Sequence, residues 1–212
     1  MDDFYSIVLV LHITAGSLAL LCGMLAVLTR KGHRAHRRAG IAYVGAMLVV
    51  ALTAVLMATM HPNPFLFAVA LFSAALALSG WLPARGDQPH WGRVIGVVGL
   101  SAAVLLGAVG IWWLLEGDLF GIVALVFSLI SGRFGWLDVW RTTTRNRTRR
   151  IVAHVSAMGG AYIATVSAVS AVNLDMLPPV IRWLWPTLVG IPLIVLAIRR
   201  YLQTRSPHTP SA

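Results

Sequence analysis

The chain has 212 residues, of which 58% are hydrophobic and 11% charged, with a mean hydropathy of +0.80. A soluble domain carries about 25% charged residues, so this one lacks the polar surface to cover a globule in water, and lipid is its natural solvent. The net charge of +10 and the single cysteine, Cys22, exclude less than they suggest. The lone cysteine rules out an internal disulfide framework and a covalent Cys-x-x-Cys-His haem site. The basic residues gather in short loops between apolar runs, which argues against nucleic acid as the partner.

In chain order the sequence predicts seven spans, at about 5–28, 40–60, 64–82, 94–115, 119–140, 151–172 and 179–198. Each is about as long as the roughly 20 residues that cross a hydrocarbon core about 30 Å thick. In lipid the backbone must satisfy its own hydrogen bonds, so each run is a helix. The expected fold is all-α, a polytopic transmembrane helix bundle forming one integral membrane domain over residues 1–212. The acidic start Met1-Asp2-Asp3 and the long first run favour a retained helix over a cleaved signal peptide.

The loops alternate in charge. Arg30, Lys31, Arg34, Arg37 and Arg38 fill the first connection, and Arg85 and Arg93 lie in the third. Arg141, Arg145, Arg147, Arg149 and Arg150 fill the fifth, and Arg199, Arg200 and Arg205 the tail. The intervening ends, Asp2-Asp3, "HPNP", "EGD" and "NLDMLPP", are neutral or acidic. Positive charge stays cytoplasmic during insertion, so the N-terminus is expected outside and the C-terminus inside a bacterial cytoplasmic membrane. Only Arg182 falls near the outer side, where its stem can snorkel to the interface. All eight tryptophans fall near span ends, as an interfacial aromatic belt does.

Candidate chemistry rests on histidines. His12 lies about 12 Å into the first span, with Ala15, Gly16 and Ala19 on its face. His154 repeats the arrangement in the sixth, with Ala157, Met158 and Ala161 on its face and Gly159-Gly160 adjoining. An intramembrane ionisable group is a functional candidate by default, and small neighbours would leave room for a flat macrocycle beside an axial ligand. Depth counting separates His12 from His154 by about 16–17 Å along the membrane normal, which argues against one shared iron. His154 is better matched in depth by His36 or His90, both at inner helix ends, and His61 lies about 10 Å too shallow to serve His12.

Other signals are weaker. "GHRAHRRAG" (32–40) places His33 and His36 three apart, but five cations beside them repel a metal ion, and contact with anionic lipid headgroups explains the loop. Arg133 and Asp138 sit in the inner third of the fifth span, where snorkelling and belt tryptophans account for them. Asp138 is within reach of Arg141 at i+3, and Arg133 aligns with Trp136 and Trp140. No Asp or Glu is expected deep in any span, and neither a His-Glu-x-x-His motif nor a Walker loop is present. "RAGIAYVGAM" (38–47) echoes "RRIVAHVSAM" (149–158). Pro186 and Pro192 should kink the last span.

His12 with Ala15-Gly16 and Gly23, then His36-Arg37-Arg38, Gly40 and Tyr43, together with His154, Met158, Tyr162-Ile163-Ala164 and Asn173, resemble the domain-of-unknown-function 2306 family of bacterial predicted membrane proteins. The resemblance runs from about residue 10 to 175. It implies no activity, only that His12, His36 and His154 form one constellation. The chain is also similar to bacterial di-haem cytochromes of the b561 type in having transmembrane histidines, although the depths do not map onto theirs. The functional expectation is a membrane redox protein associated with non-covalent haem b or a quinone, with His12, His36, His90, His154 and Met158 as cofactor-binding candidates. The alternative is a small-solute transporter, with a polar path through His12, Ser17, Thr53, Ser156, Thr165 and Ser167, or a scaffold subunit. Either reading leaves room for a homo-oligomer.

Overall fold

The computed structural model describes residues 2–86, 89–140 and 146–204. Among them are seven α-helices: α1 (Asp2–Leu28), α2 (Arg34–Met60), α3 (Pro64–Arg85), α4 (Pro89–Leu115), α5 (Gly121–Val139), α6 (Arg147–Asn173) and α7 (Pro179–Gln203). All seven are long and apolar enough to cross a membrane. Each helix runs opposite to the one before it, so the bundle has two chemically distinct ends. One end gathers the last turn of α1, the first of α2 and α6, and the close of α3 and α5.

Six of the helices overrun the predicted spans, mostly at the basic end, while α5 (Gly121–Val139) is shorter than the predicted 119–140. α2 begins at Arg34 rather than residue 40, so "RAHRRAG" is helix and the basic connection shrinks to residues 29–33. α4 begins at Pro89 and α6 at Arg147, while α3 runs on to Arg85 and α7 to Gln203. Lys and Arg are good helix formers, and their stems can reach headgroup level from within a helix, so charge marks the membrane boundary without ending the helix. Local chemistry sets the true ends. Asn63 and Asn146 cap α3 and α6 by accepting from Leu66 N–H at 3.0 Å and Arg149 N–H at 3.1 Å. Gly32 and Gly117 turn the chain at φ of 81° and 83°.

α3 is the hub of the bundle. It packs against α2, α4, α5 and α6, while α1 lies on α2 and α7 on α6. Its core-facing residues are mainly small (Ala68, Ala75, Ala77, Ser79, Gly80), with Phe72 and Leu76 between them. Small residues let transmembrane backbones approach, and α4 and α5 use the same device. A Cβ on Gly96 would lie 2.7 Å from the Gly135 carbonyl oxygen, and one on Gly135 would lie 2.8 Å from Leu100 N.

At the acidic end, Phe65, Trp113, Phe120, Phe127 and Trp183 form one cluster with ring centroids 5.3–6.1 Å apart. Trp113 and Trp183 therefore pack inward rather than join an interfacial belt, while Trp91, Trp112, Trp136 and Trp140 are exposed as a belt requires. Arg182 is half-buried, with its Nε buried and without a hydrogen-bond partner. The echoing stretches 38–47 and 149–158 fall in the first half of α2 and the start of α6, two helices of 27 residues each.

Candidate functional site at the basic end

Three helices meet near the basic end. His154, two turns into α6, places its Nδ1 2.7 Å from the Gly80 carbonyl oxygen of α3. His36, in the first turn of α2, places its Nδ1 2.9 Å from the Ala26 carbonyl oxygen of α1. A carbonyl only accepts, so in both rings Nδ1 carries the hydrogen, and a neutral imidazole held in this way would present Nε2 as a lone pair. The two rings face each other edge-on, with centroids 6.3 Å apart and planes at 81°. Both are half-buried.

The local sequence explains why these carbonyls are available. Ala26 lies in the last turn of α1, where carbonyls lack partners within the helix. The ammonium of Lys31 also donates to Ala26 and Val27, capping the same turn, and partial burial lowers its pKa. In α3, Pro83 has no N–H to offer the Ser79 carbonyl one turn back. The turn is held from outside instead. Arg150 donates through Nε and Nη2 to the Pro83 carbonyl at 3.0 and 2.9 Å, and His154 bonds Gly80.

Asp138 completes the cluster and corrects the sequence reading. It was expected as an interfacial partner of Arg141, a residue outside the described segments. Its side chain is 2% exposed, and it accepts a hydrogen bond from the Ser79 hydroxyl. The last turn of α5 faces α3, and rotation about the helix axis decides that a carboxylate near the boundary points into protein. Arg133, five residues earlier, is exposed, with its guanidinium 5.7 Å from the Phe134 ring rather than on Trp136 and Trp140.

The other candidates are not part of this group. His90 is exposed at the start of α4 beside Trp91, with ring centroids 5.9 Å apart, so of the two depth-matched histidines only His36 adjoins His154. His12 bonds Thr53 of α2 through Nδ1 at 2.9 Å. Thr53 lies seventeen residues beyond His36, about 25 Å along the same helix, so His12 and the His36–His154 pair are separate places. His61 packs its ring on Tyr5 at 4.7 Å.

The small residues beside His12 and His154 differ in how far neighbouring helices cover them: a Cβ on Gly16 would meet only Val50 Cγ2, at 4.0 Å. Ala15 and Ala19 are buried against neighbouring helices. Gly159 receives Ile194, whose Cδ1 would lie 2.6 Å from an added Cβ, and the Gly160 position looks onto Leu76 and Phe134 at 3.8 Å. Met158 is pressed on Gly80, its Cγ and Sδ 2.5 and 2.7 Å from where a Cβ would stand, so it fills a packing gap rather than offering a free sulfur. The open flank is on α2, where a Cβ on Gly40, one turn after His36, would meet nothing within 4 Å. Deeper in the bundle, Tyr43 is fully buried, with its hydroxyl 3.0 Å from Thr165 Oγ1 and its ring 6.2 Å from that of Tyr162. Of the residues expected on a polar path, His12 and Thr53 bond each other, Thr165 bonds Tyr43, and Ser17 is exposed.

No curated protein and no solved structure matches the chain. Residues 9–82, about a third of the chain, spanning most of α1 to α3 and including His12 and His36 but not His154, match the model of the DUF2306 family, described as a predicted membrane protein.

Proposed function

We propose that this multi-pass membrane protein is a redox protein whose working centre is the His36–His154 pair, with haem b as the bound group. One observation carries the reading: two imidazoles lie 6.3 Å apart, each with Nδ1 held by a backbone carbonyl. Metal-bound histidines are typically held in this way through the nitrogen that does not ligate. Two metal–nitrogen bonds of about 2 Å each, plus the ring on either side, bring imidazole centroids about 6 Å apart.

Charge selects between metal forms. A bare cation at this pair would have Lys31, Arg34, Arg37 and Arg38 within five residues of His36 in the chain, none of them able to offset its charge. In haem the macrocycle offsets the iron's charge, and two carboxylates are there for those cations to pair with. The donor set suits haem, whose axial ligands are commonly histidines. Gly159 and Gly160 are covered by side chains and Gly40 of α2 is not, so a bound macrocycle would need the space on the α2 side. When bound, haem supplies one-electron chemistry. The chain's own part is to fix both rings, half-buried, with Nδ1 on a backbone carbonyl. A quinone is the other ligand class, since the same nitrogens would accept a hydrogen from a quinol hydroxyl.

The basic end is proposed to face the cytoplasm of a bacterial cell, with the N-terminus outside, the C-terminus inside and the exposed arginines on anionic headgroups. Reporter fusions at the C-terminus test this. An active periplasmic reporter there would reverse the orientation.

The test of the site is spectroscopic. Protein purified in mild detergent from haem-supplemented cells should show a Soret band that shifts with dithionite. His154→Ala and His36→Ala should abolish it, and His12→Ala and His90→Ala should leave it unchanged. A colourless protein that gives no Soret shift on haem titration sinks the redox reading. The histidines are then interhelical fasteners in a scaffold or transporter.

A further inference from the structure

We infer that Ser79 and Asp138 are positioning residues for His154: the Asp138 carboxylate, acting through the Ser79 hydroxyl, holds the turn of α3 that presents the Gly80 carbonyl to His154 Nδ1. The inference starts from a defect in α3. Pro83 lies inside the helix and cannot donate to the Ser79 carbonyl, so the turn from Ser79 to Pro83 lacks one of its backbone bonds. A turn so weakened can shift, and Gly80 inside it adds backbone freedom.

Side chains from two neighbouring helices fasten this turn where the backbone does not. Asp138 of α5 takes the Ser79 hydroxyl on one side. His154 and Arg150 of α6 donate to the Gly80 and Pro83 carbonyls on the other. Ser79 and Asp138 are each 2% exposed, so water does not compete for their bond. Ser79 and Gly80 are consecutive, so moving one moves the carbonyl of the other. The His154 bond, at 2.7 Å, has little slack. A carboxylate acceptor makes the Ser79 bond stronger than a neutral one would be.

The consequence is chemical as well as mechanical. The Gly80 carbonyl is what places the hydrogen on Nδ1 and leaves Nε2 free. Should that carbonyl turn away, His154 loses the reason to prefer this tautomer, and Nε2 becomes the protonated nitrogen in a larger share of molecules.

The inference rests on the reading that His154 Nε2 is the working nitrogen, but the tautomer is measurable with no ligand bound, so the two can fail separately. The experiment records imidazole 15N chemical shifts of the full chain in detergent micelles, with His154 assigned by comparison with the H154A variant. In the wild type, His154 should be mainly the Nδ1–H form. Ser79→Ala should raise the Nε2–H population several-fold. Asp138→Leu, which removes the acceptor, should raise it in the same direction, and Ser79→Thr, which keeps the hydroxyl, should hold the wild-type tautomer. If Ser79→Ala does not fold, Ser79→Cys, a weak donor of similar size, replaces it and should shift the population in the same direction. An unchanged His154 tautomer in the folded Ala or Cys variant overturns the inference. A haem-free protein with the predicted tautomer shifts overturns the haem reading alone.

Discussion

Gly80 shows how a single position can decide a site. Its carbonyl holds His154, and its missing side chain admits Met158, whose backbone N would lie 2.7 Å from an added Cβ. That neighbour is backbone, so it cannot swing aside, and Gly80→Ala must push α6 away from α3. The expected cost is about 1–3 kcal/mol, read as a lower melting temperature in detergent. Gly45, on the exposed side of α2, is the control. A Cβ there meets nothing within 4 Å, so Gly45→Ala should be neutral or stabilise by about 0.5–1 kcal/mol through helix propensity. His12 belongs to the same scale. Thr53 bonds the Val49 carbonyl at 2.8 Å, which leaves its oxygen free to accept from His12 Nδ1. Thr53→Val removes that acceptor, and a loss of about 0.6 kcal/mol is expected, the usual size of an interhelical side-chain bond in lipid. A loss many times larger would give His12 more than a fastening role.

Among the elements, the α4–α5 pair is the most tightly seamed, with Gly96, Gly99 and Gly135 on one stretch and Gly110 and Gly121 on another. Gly135→Leu should split the seam, because the added carbon would strike Leu100 N at 2.8 Å and the Gly96 carbonyl oxygen at 2.9 Å. The expected outcome is loss of a folded monodisperse peak in size-exclusion chromatography. The existence of these helices was readable from run length alone. Their ends were less so, since α2 and α6 carry their arginines within the helix. The role of the glycines beside His154 is not legible in the sequence. Beside His154 they looked like space, and the neighbours Ile194, Leu76 and Phe134 occupy it. A glycine in a sequence shows only what its own residue omits, and the neighbouring helix decides whether the gap is filled.

At the scale of the molecule the two ends differ in charge. The described acidic residues Asp3, Glu116, Asp118 and Asp175 lie at one end, and the described Lys and Arg, apart from Arg182, towards the other, where the buried Asp138 also lies. Single cysteines placed at Lys31 and Asp118 in a Cys22→Ser background should therefore label from opposite sides of sealed vesicles. Labelling from one side would break the seven-span arrangement.

Composition and run length by themselves determined the solvent, the number of crossings and the segregation of charge. These are sums over local residues, and lipid enforces them whatever the packing. Helices that are apolar almost all round carry no stripe to say which face turns inward. Only the tertiary structure could therefore decide that His36 rather than His90 meets His154, that Asp138 is buried on Ser79, and that His12 stands alone with Thr53. Each depends on the rotation of a helix about its axis and on which helix lies beside it.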